Sequence, residues 1–134
     1  MTDRMPQWDD PSPRLVLVSG LPGWRAVNGE ALVCYEPSAS PATVVLSAYG
    51  EFDSDSVDCF REAITGVCTT QTERVLLELT GVTFADSAFV NELLAARDRC
   101  RLILVGPLPR PVRRLLKAAG VLSFFHIALD DGPE

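Results

Sequence analysis

Residues 75–94 (VLLELTGVTFADSAFVNELL) constrain the fold more than any other stretch of this chain. The continuous apolar run of Val75, Leu76, Leu77 and Leu79 has the length of a buried strand. A turn-like Thr80-Gly81 follows, then Val82 and Phe84, and then Asp86-Ser87 opens a helical pattern. A buried strand that feeds a helix within ten residues belongs to an α/β sheet. The serine stands where backbone N–H groups point outward and the macrodipole favours negative charge. Its hydroxyl is therefore either a helix cap or a place where a phosphate can sit.

The segments around this core extend the same alternation. Residues 31–35 and 43–48 read as strands joined by a Pro/Ser-rich connection at 36–42, which suits an antiparallel pair. A helix follows, with Ser54 as its expected cap. Asp55 and Asp58 lie at its positive end, and Val57, Phe60, Ile64, Val67 and Cys68 form one apolar stripe. The second helix is expected over 87–99 with Val90, Leu93 and Leu94 inward, and a strand over 101–105. A third helix starts near Pro111, buries Val112, Leu115, Leu116 and Ala119, and stops at Gly120. Residues 122–129 contain an edge strand before the acidic tail at 130–134. The order β-β-α-β-α-β-α-β implies an α/β domain with a mixed sheet of four to five strands and helices mainly on one face. That domain spans 29–134. Residues 1–28, rich in Pro, Gly and Asp, read as a partly ordered extension with a short strand at 15–18 and with Trp8 and Trp24 available to pack on the domain.

Composition bounds the function. The chain has 134 residues, one domain's worth, with 47% hydrophobic and 22% charged residues. Its net charge of −6 opposes non-specific nucleic-acid binding. No apolar run nears the ~20 residues that span a bilayer, and the N-terminus has no secretory pattern, so the expected location is the cytoplasm. Cys34, Cys59, Cys68 and Cys100 form no C-x-x-C pair, and the lone His126 completes no zinc site. The cysteines read as small buried hydrophobes, with a redox pair as the alternative. Ser87 lacks a G-x-S-x-G elbow and a partner base, and no glycine cluster forms a phosphate loop, so neither an enzyme nor a cofactor is expected.

Charge is segregated along the chain. Glu30, Glu36, Glu51, Asp53, Asp55, Asp58 and Glu62 surround Arg61 alone, whereas Arg97, Arg99, Arg101, Arg110, Arg113, Arg114 and Lys117 surround Asp98 alone. These are either ordinary solvated helix faces or the two poles of a protein that docks in one orientation.

Gly50-Glu51-Phe52-Asp53 after a strand resembles the G-E-L/I-D motif of STAS domains, specifically bacterial anti-sigma factor antagonists. Residues 75–87 are similar to that family's strand, its L-x-x-[VL]-x-F segment and its Asp-Ser phosphorylation site. Residues 110–127 (RPVRRLLKAAGVLSFFHI) match the segment where a helix ends at Gly before the last strand. The resemblance covers about residues 31–129. It implies transcription regulation through protein–protein contact. The family binds an anti-sigma factor that is also a serine kinase and so releases a sigma factor, until the kinase phosphorylates the serine and a phosphatase reverses it. It makes Ser87 the phosphoacceptor and places Glu51, Asp53, Asp86, Ala88, Phe89 and Asn91 beside it on the partner-binding face; a homodimer is compatible. The family usually continues Asp-Ser-[Ser/Thr]-Gly-Leu, whereas this chain has Asp86-Ser87-Ala88-Phe89-Val90. Phe89 then either faces the partner or folds inward against Leu93. The alternatives are a STAS scaffold or oligomerisation module that is never phosphorylated, and a cysteine-based redox-responsive binding domain.

Overall fold

The computed structural model describes residues 14–17, 24–37 and 42–128. Five strands stand where they were expected: β3 (Ala31–Pro37), β4 (Thr43–Phe52), β5 (Arg74–Ala85), β6 (Leu102–Val105) and β7 (His126–Ala128). Two more lie within the segment read as an extension, β1 (Arg14–Leu17), one residue from the short strand expected at 15–18, and β2 (Trp24–Asn28), which was not expected, and they enlarge the sheet to seven strands in sequential order. Trp8 and the acidic tail at 130–134 lie outside the described residues.

β1 to β4 form an antiparallel meander, whereas β4 to β7 are parallel. Parallel neighbours need crossovers, and the three helices supply them: α1 (Asp58–Val67), α2 (Ser87–Arg99) and α3 (Arg110–Ala118). α1 packs over β2 and β3 and α3 over β5, with α2 touching both other helices. Along β5 Val75, Leu77 and Leu79 are buried while Glu78 and Thr80 are exposed, so the helices cover one face. A row of side chains in register, Leu46, Leu77 and Leu104, forms the fully buried centre of the core. Each such leucine contributes roughly 1.5–3 kcal/mol relative to exposure. Among the described residues no helix is long and apolar enough to cross a membrane.

Two local expectations are corrected. Thr80-Gly81 is not a turn: β5 runs through it to Ala85, and the chain absorbs the irregularity as register shifts against β4. Gly81 is needed there because a Cβ would run into the Tyr49 ring of β4. Ser54 is not the cap of α1. The helix begins at Asp58 after a turn, and its N-cap Val57 has no side-chain cap bond. Asp53 organises that turn instead. Its Oδ1 accepts the N–H groups of Asp55 at 2.9 Å and Ser56 at 3.0 Å. The buried Ser56 hydroxyl, 2.9 Å from the Glu51 carbonyl and 3.0 Å from Asp53 Oδ1, also accepts the Asp53 N–H at 3.1 Å.

The start of this motif is equally demanding. Gly50 has φ of +95°, and a Cβ there would collide with the Glu30 carbonyl. Gly50→Ala is expected to destabilise the domain by at least about 2 kcal/mol in urea denaturation. Gly29→Ala, at an open turn, should cost less.

Candidate functional site

The parallel pairing of β4 with β5 places the two expected site motifs side by side. Glu51 faces Phe84 and Phe52 faces Ala85 in register, and the Asp86 N–H donates to the Phe52 carbonyl at 3.2 Å. Gly50–Asp53 and Asp86–Ser87 therefore leave the sheet at the same end. Ligand sites of open α/β sheets form at such carboxyl ends of parallel strands.

The N-terminus of α2 divides the roles of its first residues. Asp86 is the N-cap, and its Oδ1 accepts the Ala88 N–H at 2.9 Å. Its backbone carbonyl accepts the N–H groups of Phe89 at 3.0 Å and Val90 at 3.3 Å. The reading of Ser87 as the cap is therefore corrected. Ser87 is the first helical residue, it is exposed, and no described group holds its hydroxyl. A group attached to that oxygen would sit at the positive end of the helix without displacing a cap.

Phe89 is corrected as well. It is 0% exposed and cannot reach a partner. Its ring lies 4.8 Å from Phe52 and 5.3 Å, edge-on, from Phe60. These offset and edge-to-face contacts join the end of β4, α1 and α2 in one cluster. The aromatic residue that stands where the family usually has Gly is thus a core anchor, and the surface presents Ser87 and Asn91, with Ala88 half-buried.

Of the remaining candidates, Glu51 is exposed, whereas Asp53 and Asp86 are half-buried with their carboxylates engaged in local N–H bonds. Phe84 was not among the expected site residues, yet it is 46% exposed two positions before Asp86. No pattern in the sequence marked it, because its exposure follows a register shift against β4 between Gly50 and Glu51.

Much of the charge segregation is spent within the fold. Arg61 bridges Asp58 on its own helix and Glu92 on α2. Arg97 donates to the Phe124 carbonyl at 2.7 Å and lies over the Phe124 ring, and Arg99 donates to Thr65 at 3.1 Å. Among the described residues no three His, Cys, Asp or Glu side chains converge as a metal site would need. Cys59 is buried, and desolvation pushes its thiol up to about 12. Cys100, the C-cap of α2, is also pushed up to about 12, first by burial and then by the neighbouring Cys68 thiol at the C-cap of α1, and its Sγ donates to the Ala96 carbonyl at 3.4 Å. Both are thiols rather than reactive thiolates at neutral pH.

The family model described as "Mlab, STAS domain" matches residues 36–124. The chain belongs to the STAS-domain family. This STAS domain resembles solved structures of anti-sigma factor antagonists in fold. One is the anti-sigma factor antagonist from Mycobacterium paratuberculosis, with a TM-score of 0.64, 20% identity, and coverage of 75% of this chain and 87% of that one. A second is the unphosphorylated form of the anti-sigma factor antagonist SpoIIAA, with a TM-score of 0.58, 20% identity and coverage of 72% and 90%. A third is the phosphorylated form of SpoIIAA, a Bacillus cell fate determinant, with a TM-score of 0.53, 20% identity and coverage of 72% and 93%. No protein of curated function matches the chain at a significant level.

The division of roles at α2 is open to measurement. Asp86→Ala should cost about 1 kcal/mol through the lost cap. Ser87→Ala should stay within about 0.5 kcal/mol of wild type, because its hydroxyl is unused by the fold. Phe89→Ala should cost about 3–5 kcal/mol, the price of emptying an aromatic core position. Equilibrium denaturation of the three variants checks the order.

Proposed function

We propose that this STAS domain is an anti-sigma factor antagonist that binds an anti-sigma factor with serine-kinase activity and so releases a sigma factor. Phosphorylation of Ser87 ends the interaction, and a phosphatase restores it. The partner-binding face comprises Glu51, Asp53, Asp86, Ser87, Ala88 and Asn91. Phe89 acts from beneath as their support.

The observation that carries this reading is the free, exposed Ser87 hydroxyl at the first position of α2, with Asp86 holding the cap. An acceptor serine needs a hydroxyl that a kinase can reach without unfolding a helix, and this arrangement supplies one. The phosphate would add about −1.5 to −2 charge where the helix dipole tolerates it, so the domain stays folded. In an interface the same charge must be desolvated or set near Glu51, Asp53 and Asp86. An affinity loss of about 10³-fold needs only ~4 kcal/mol, so the modification acts on binding rather than on fold. Phe89 removes one obstacle to the reading, because its burial takes its own ring out of the partner's path.

Incubation with candidate serine-kinase anti-sigma factors and ATP, followed by intact mass, tests the proposal. Wild type should gain the mass of one phosphoryl group and Ser87→Ala none. Ser87→Glu should bind the unphosphorylated-state partner at least about 10²-fold more weakly in calorimetry. If no kinase transfers phosphate to wild type, the STAS scaffold or oligomerisation module takes the proposal's place; if the alanine variant still gains phosphate, Ser87 is not the acceptor and the proposed mechanism falls.

A further inference from the structure

A groove of about 480 Å³ runs beside the Ser87 surface, between the end of β5 and the outer side of α3. Phe84, Pro111, Leu115 and Ala118 give it an apolar floor and wall, and Arg110 and Arg114 rim it. Phe84 is one of few large apolar side chains left exposed among the described residues. The two arginines are exposed, and no described carboxylate pairs with either. Arg113 and Lys117, by contrast, make interactions of their own.

The position of Arg110 is unfavourable for the helix that bears it. Arg110 opens α3, no acid lies in its first turn, and its N-cap Pro109 offers no side-chain bond. Positive charge belongs at the opposite end of a helix. Two guanidinium groups, one of them at the unfavourable pole, without a carboxylate partner among the described residues and flanking an exposed phenylalanine, suit an acidic ligand. That occupant must be acidic to complement the rim, and it must carry a large apolar side chain to cover Phe84 and Leu115. The chain as a whole carries −6, so an extended polyanion would be repelled beyond the groove, whereas a short segment would not.

We infer that the β5–α3 groove, floored by Phe84 and Leu115 and rimmed by Arg110 and Arg114, docks an acidic peptide segment of a partner protein through one large apolar anchor. The inference rests on the proposed function in treating the neighbourhood of Ser87 as the docking surface, and it adds the chemistry of the partner segment.

A fluorescein-labelled synthetic peptide with a central leucine flanked by glutamates serves as the probe, read by fluorescence anisotropy at low salt. Wild type should bind it. Binding should weaken about tenfold or more for the same peptide with glutamines, for Phe84→Ala, and for the double variant R110E/R114E, and added salt should weaken it too. An acid at position 110 suits the start of the helix and Arg114 is exposed, so R110E/R114E should melt no lower than wild type and lost binding would not reflect lost fold. Amide shifts on titration should centre on Phe84, Ala85 and α3. The inference is overturned if the acidic peptide does not bind, if the glutamine peptide binds equally well, or if R110E/R114E binds as wild type does. Arginine-dependent binding of phosphatidylglycerol vesicles or of a DNA duplex in place of the peptide would also overturn it. The assay needs no kinase or ATP. Phosphate transfer to Ser87 without peptide binding removes the groove inference alone, and peptide binding without phosphate transfer removes the phosphorylation reading alone.

Discussion

The parallel pairing of β4 with β5 is the constraint on which the rest of this STAS domain depends. It joins the antiparallel meander to the parallel half of the sheet, and it obliges the chain to cross over through α1. It also delivers the two ends of those strands to one place, where the Asp86 N–H meets the Phe52 carbonyl. The Phe52, Phe60 and Phe89 rings then fill the space beneath that junction. Weakening the pair would release the site and the aromatic cluster together.

Elements with strong periodicity were legible in the sequence. The helix over 87–99 follows from its apolar spacing and from Asp86-Ser87, and the apolar runs at 75–79 and 101–105 follow from their continuity. β1 reads as a short strand but not as part of the sheet, and β2 does not read as a strand at all, because these segments sit among Pro and Gly and derive their order from the pairing of β1 with β2 and of β2 with β3. Tertiary pairing overrode the local composition. The extension of β5 through Gly81 has the same origin: Gly in a turn and Gly under a tyrosine ring look alike until the neighbouring strand is placed.

At the site, the residue types were legible and their division of labour was not. Asp and Ser both favour helix starts, so the sequence did not say which of Asp86 and Ser87 would cap. The backbone decides: Asp86 is extended, with φ of −128°, and Ser87 is already helical. Likewise Asp53 reads as a docking carboxylate, yet its oxygen holds the turn before α1. Phe89 could be placed inward only once Phe52 and Phe60 were known to converge on it.

The two register shifts between β4 and β5 have a consequence for how such a surface can diversify. Leu79 and Val82 are both buried, so the inward-facing phase changes at the first shift; Phe84 is exposed and Ala85 packs on the core, so it changes back at the second. The final three residues of β5 thus take their orientation from local irregularity rather than from the alternation that builds the core. An outward side chain at position 84 can be exchanged for another shape or charge while the leucines of the central row keep their places. A tolerant rim and a tightly packed frame thus share a single strand.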